Sequence, residues 1–165
     1  MSLARRSVIG SAALGLVAAA VSAPAQQRPR RGGVVKERLN PRGLSQPRGY
    51  SQVVTARGGK TVYVAGQVAV DEKDNLVGKG DLKAQAQKVF ENLATALAAV
   101  GAGFDDVVKL NTYVVNYRPD VLDTLRAARS AFMGEVAVPA STLVGVQALA
   151  REGYLIEIEA VAVVD

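Results

Sequence analysis

Two carboxylates, Glu157 and Glu159, interrupt the apolar closing run YLIEIEAVAVV. Their even spacing on an extended chain sends both side chains to the same face. A carboxylate in the middle of a strand is costly to bury unless it is paired or hydrogen-bonded, so these two need a partner or a task. The chain contains no Cys and no His. That excludes a disulfide, a thiol nucleophile, an iron–sulfur cluster, a Ser-His-Asp triad and most zinc sites. Any catalysis here falls to carboxylates, Tyr, Lys, Arg, Ser or Thr, backbone groups and water.

The elements that must position these groups can be read from periodicity. KTVYVAGQVAV, Lys60–Val70, is β-branched with near alternation and reads as a strand. VVTARGGK before it reads as a strand and a Gly-Gly turn, a hairpin into that strand. A helix follows, with Asp81 as N-cap and an apolar stripe of Leu82, Ala86, Val89, Phe90, Leu93, Leu97 and Val100, closed by Gly101 and Gly103. DDVVKLNTYVVNY reads as a strand with Val108, Leu110, Thr112 and Val114 on one side. Lys109, Asn111, Tyr113 and Val115 take the other side. A second helix starts at Pro119 and Asp120 and carries Val121, Leu122, Leu125, Ala128, Phe132 and Met133 as its stripe, with Gly134 closing it. PASTLVGVQAL and YLIEIEAVAVV are the last two strands, joined by the polar turn AREG. The expected class is α+β, with two helices packed on one face of a sheet. The other sheet face mixes polar and apolar residues, including Lys109, Asn111 and the Glu pair. Such a face is expected to meet another subunit.

The chain has 165 residues, which fits one domain, and 49% of them are hydrophobic, enough for a core. Its net charge of +5 is unevenly spread: residues 1–60 hold 11 of the 20 Lys and Arg against a single acid, Glu37. The remainder holds nine bases and 14 acids, a net of −5. The basic third begins as an export signal: Arg5 and Arg6, an apolar stretch from Val8 to about Ala23, then APA at 23–25 as a cleavage site. Residues 1–25 are therefore expected to be a signal peptide, with the mature chain starting near Gln26 outside a bacterial cytoplasm, in the periplasm or secreted. The paired arginines point to the twin-arginine route, although ARRSVIG lacks the Phe-Leu that usually follows, and a Sec signal stays open. The stretch is short for a membrane span, so no stable anchor is expected after cleavage. Residues 26–40, QQRPRRGGVVKERLN, read as a flexible basic arm ahead of a domain at 41–165. An export signal and linker account for the basicity, and no nucleic-acid partner is expected.

Taken together, these segments resemble the Rid family, also called YjgF/YER057c/UK114, from about Val35 to Val163. PRGYSQVV resembles the family's Gly-Pro-Tyr-Ser-Gln segment, and VYVAGQVAVD its strand ending Ser-Gly-Gln. QAQKVFENLATALAAVGAGFDDVVKLNTYV resembles its helix and following strand, and VPASTLVGVQALAREGYLIEIEAVAV its closing hairpin. The resemblance implies a chorismate-mutase-like fold and a homotrimer with a small-molecule pocket at each subunit interface. It also implies hydrolysis of reactive enamines and imines, such as 2-iminoacids, to ketoacids and ammonia in the deaminase members, with no cofactor and no metal.

On that resemblance Glu157 borders the pocket and positions the attacking water, and Tyr50 stacks on or hydrogen-bonds a ligand. Gly66 and Gln67 match a turn at the strand end. One departure falls on the pocket. Deaminase members carry Arg two residues after the Pro of this run, where a guanidinium can clamp a substrate carboxylate through two hydrogen bonds. Here the run is VPASTL and that position is Ser141. A serine cannot replace a bidentate cation, which argues against 2-iminoacid deamination by the usual clamp. Three readings stay open. Arg48, Arg118 or Arg151 reaches the pocket from a loop, or the substrate is an imine without a carboxylate. In the third, a non-catalytic trimer binds a small metabolite, with Ser141 and Thr142 as hydrogen-bond donors.

Overall fold

A computed structural model describes residues 33–134 and 138–165. The expected export signal, residues 1–25, and the arm as far as residue 32 lie outside the described residues. Strands β1 (Val35–Leu39), β2 (Val53–Arg57) and β3 (Lys60–Gln67) precede helix α1 (Leu82–Ala98). Strand β4 (Val107–Val115), helix α2 (Leu122–Met133), β5 (Ala140–Val146) and β6 (Ile156–Val164) follow. The main sheet has the order β3-β6-β4-β5; β6 runs antiparallel to both neighbours, and β4 and β5 are parallel.

Three local expectations change. β2 pairs with β1 in a separate two-stranded sheet, not with β3 across the Gly58–Gly59 turn. Val35–Leu39, placed by composition in the flexible arm, is therefore a strand. Its inward positions are Lys36 and Arg38 instead of apolar residues, which hides it from a hydrophobic pattern. Lys36 anchors it: Nζ donates to Asp106 Oδ1 at 2.6 Å and to the Val163 carbonyl at 3.3 Å. The last two strands are also not a hairpin. β6 inserts between β3 and β4, while β5 lies beyond β4 at the sheet edge. The α2 crossover permits this, because parallel neighbours such as β4 and β5 need a long connection.

α1 forms as its sequence requires. The Asp81 carboxylate accepts from the Ala84 N–H at 3.0 Å and caps the first turn. Ala86, Val89, Phe90, Leu93 and Leu97 are buried against the sheet. In β4 a register shift between Val107 and Lys109 turns Val107, not Val108, into the core beside Leu110 and Val114. β6 supplies Ile156, Ile158, Ala160 and Ala162 to the same layer. Phe90, Phe104 and Phe132 meet with ring centroids 5.6–6.0 Å apart and seal the end of α2 against α1.

The Lys36–Asp106 pair makes stability depend on acid. Burial opposes the charged Asp106, but hydrogen bonds from Lys36 and the Gly103 N–H outweigh it and hold the carboxyl below its usual range. A depressed folded-state pKa contributes stability above the unfolded value of about 3.9 that is lost as pH falls through the folded pKa. The melting temperature is expected to fall below about pH 4 more steeply in the unsubstituted chain than in Asp106→Asn. Thermal melts from neutral to strongly acidic pH check this; parallel acid limbs would contradict it.

Candidate functional site

α2 does not close down on the sheet. Arg126 and Arg129 share the helix face of Leu122 and Leu125, and their charged heads cannot pack dry against β4 and β5. The gap is a cavity of about 320 Å³ between α2 and the sheet. Its polar lining is Tyr50, Thr112, Ser141, Arg48, Arg126 and Arg129, and the rest is apolar, including Leu110, Leu143, Ile156 and Ile158. Among the described residues no acidic side chain lines it.

Tyr50 reaches the cavity because its loop is tied to the start of β5. The Ser51 N–H donates to the Pro139 carbonyl at 3.0 Å, and Ser51 Oγ donates to the Val138 carbonyl at 2.8 Å. The residues form a parallel bridge, Ser51 to Ala140, that holds the Tyr50 loop against β5, and Tyr50 and Ser141 line the same cavity. An outer groove of about 530 Å³ shares Arg48, Tyr50, Arg126 and Arg129 with the cavity, so these four stand between the two spaces.

The sequence-derived residues divide between two faces. Ser141 pairs with Leu110 and faces the helices, whereas Thr142 pairs with Asn111 and faces away. Thr142 therefore does not share the cavity with Ser141; its Oγ1 accepts a hydrogen bond from Lys109 Nζ on the open face. Glu157 pairs with Tyr113 and Glu159 with Asn111, so both carboxylates project to that open face too. Glu159 is engaged there, accepting from Asn111 Nδ2 at 2.6 Å and from the Tyr113 hydroxyl at 3.1 Å. That hydrogen bond, with burial and the two carboxylates, raises the Tyr113 pKa and keeps the phenol neutral. Glu157 accepts no hydrogen bond among the described residues. Gly66 makes room for it: a Cβ at that position would overlap the Glu157 carboxylate. Within one chain, then, Tyr50 and Ser141 come together, and Glu157 and Thr142 lie on the other side of the sheet.

Of the three loop arginines, Arg48 lines the cavity, while Arg118 is paired with Asp120 and Arg151 with Asp74 at exposed positions. The cavity's other two arginines escaped the sequence reading. Their signal was phase: Arg126 is four residues after Leu122, and Arg129 four after Leu125.

The family model described as Endoribonuclease L-PSP matches residues 43–164. The chain belongs to the Rid family. Its domain is 42% identical to a Rid-family protein of unknown function from Yersinia pestis; the match covers 78% of this chain and 98% of that one, with a TM-score of 0.74. A 2-iminobutanoate/2-iminopropanoate deaminase of Dermatophagoides farinae is 34% identical over 124 residues, 73% of this chain and 90% of the relative. A RutC family protein of Pyrococcus horikoshii is 34% identical over 113 residues, 68% of this chain and 85% of the relative. In this Rid protein no helix among the described residues is long and apolar enough to cross a membrane.

Proposed function

We propose that this Rid protein hydrolyses small reactive imines or enamines, with a specificity altered from that of the deaminases it resembles, in pockets completed where copies of the chain meet. The reading is carried by the cavity that Tyr50 and Ser141 both line, with the Tyr50 loop tied to β5 by the Ser51–Ala140 bridge. The reaction needs only water: its oxygen bonds to the imine carbon, and the imine nitrogen takes up the proton. The carbon–nitrogen bond of the resulting carbinolamine then breaks as its hydroxyl proton passes to the nitrogen, releasing ammonia and leaving a ketone. Tyr50 and Ser141 contact the substrate, and Glu157 orients the water and takes its proton. Since Glu157 and Ser141 stand on opposite faces of one sheet, the Glu157 in each pocket comes from a neighbouring copy. A homotrimer with its open sheet faces inward supplies it. Two features support that assembly: Tyr63 is 80% and Val144 41% exposed on the open face, beside a hydrogen-bonded polar cluster that a second copy would cover. The export signal expected at residues 1–25 supports an activity outside the cytoplasm.

The same separation of faces supports a second reading, a trimeric protein that binds a small metabolite without turning it over. Ammonia release from freshly generated 2-iminobutanoate by the purified mature chain separates the two. Release well above the uncatalysed rate is the expected result; an uncatalysed rate with a ligand bound leaves the binding reading. Light scattering on the same sample is expected to give three times the chain mass, and a monomer would remove Glu157 from the pocket.

A further inference from the structure

Arg129 is the least accounted-for polar group in this cavity. It is half-buried, and its Nε is shielded from solvent with no hydrogen-bond partner among the described residues. Burial, and after it the charge of Arg126, lower its pKa, but a guanidinium stays protonated at neutral pH. Its neighbours share its sign. Arg126 is partly offset by Asp123 at 3.2 Å, while neither Arg48 nor Arg129 has an ion-pair partner among the described residues. Like charges gathered in a half-buried space lined by no described carboxylate are costly, and a bound anion would offset that cost. The loop is shaped around the group as well. Gly49 has φ of +78°, and the Arg129 guanidinium occupies the space where a side chain at Gly49 would begin. Beyond the arginines the cavity is apolar, with Leu110, Leu125, Leu143 and Ile158 among its walls.

We infer that Arg129 is the specificity-determining residue of this cavity, holding the carboxylate of a small aliphatic acid with Arg48 and Arg126 beside it and the ligand's carbon chain against the apolar wall. This rests on the pocket reading above and deepens it: helix α2 supplies the cation that Ser141 does not. The planar guanidinium fork suits a carboxylate bound through two hydrogen bonds.

The test uses stable probes on the purified mature chain: 2-oxobutanoate, its neutral amide and inorganic phosphate, with binding measured by calorimetry. The unsubstituted chain is expected to prefer 2-oxobutanoate over both others. Arg129→Gln is expected to weaken 2-oxobutanoate by about thirtyfold or more, and Arg129→Lys by about tenfold, with the amide unaffected. In the unsubstituted chain, the Arg129 Nε–H nuclear magnetic resonance signal is expected to shift on adding 2-oxobutanoate, a readout that does not depend on how the variants fold. The inference is overturned if 2-oxobutanoate does not bind, if the amide or phosphate binds as well, if Arg129→Gln retains the affinity, or if the Nε–H signal stays still while ligand binds. Ammonia release keeps the two claims apart. Arg129-dependent binding without hydrolysis removes the catalytic reading alone, whereas hydrolysis indifferent to Arg129→Gln removes Arg129 alone.

Discussion

Glu157→Gln is expected to lower imine hydrolysis by about a hundredfold or more while changing 2-oxobutanoate affinity by no more than about twofold. The substitution keeps the size of the side chain and removes its ability to take a proton from water. Glu157 is suited to that task because Gly66 leaves space around its carboxylate and no described residue hydrogen-bonds to it. Glu159, two residues on, provides the contrast. Its carboxylate is already held by Asn111 and Tyr113, so Glu159→Gln should act on the open-face network, with a much smaller effect on turnover. Steady-state ammonia release measured beside ligand affinity separates the two variants. Full turnover in Glu157→Gln would remove the residue from the mechanism.

The largest effect on stability is expected from Gln85→Leu. Gln85 has no exposed surface although it is polar. Its amide donates to the Gly78 carbonyl at 3.1 Å and the Gly153 carbonyl at 2.8 Å and accepts from the Leu155 N–H at 2.8 Å. One side chain of α1 thereby fixes the loop before the helix and the turn that leads into β6, the strand bearing Glu157. Leucine fills the volume but leaves the Gly153 carbonyl and the Leu155 N–H without this partner, each costing about 1–3 kcal/mol, while the Gly78 carbonyl keeps its bond from the Asp81 N–H. The melting temperature is expected to fall on the order of 10 °C or more. A shift of only a degree or two would mean that the loops rearrange and find other partners.

Both residues also show where sequence reading reached and where it stopped. Helix α1 was legible because Asp81 and the stripe from Leu82 to Leu97 are local signals that agree with each other. Gln85 was not, since its position gave no hint that it bonds to chain segments about 70 residues away. Alternation correctly gave the common face of Glu157 and Glu159. Whether Ser141 shares it depends on how β5 and β6 register against β4, and that pairing is tertiary. The supposed closing hairpin failed for the same reason: adjacency in sequence does not specify adjacency in a sheet whose middle strand comes last. β1 was missed because Lys36 does the anchoring normally done by an apolar side chain. Arg126 and Arg129 were not named among the residues of α2, although their spacing from Leu122 and Leu125 already put them on the cavity side.

That cavity is the central claim, and a crystal structure of the mature chain grown with 2-oxobutanoate tests it most directly. The account predicts the ketoacid between α2 and strands β4 and β5, its carboxylate within hydrogen-bonding distance of the Arg129 guanidinium, and its carbonyl carbon near Tyr50 and Ser141, facing Glu157 of an adjoining copy. A ligand seated among Asn111, Tyr113 and Glu159 on the open face, with the α2 cavity holding only water, would contradict it.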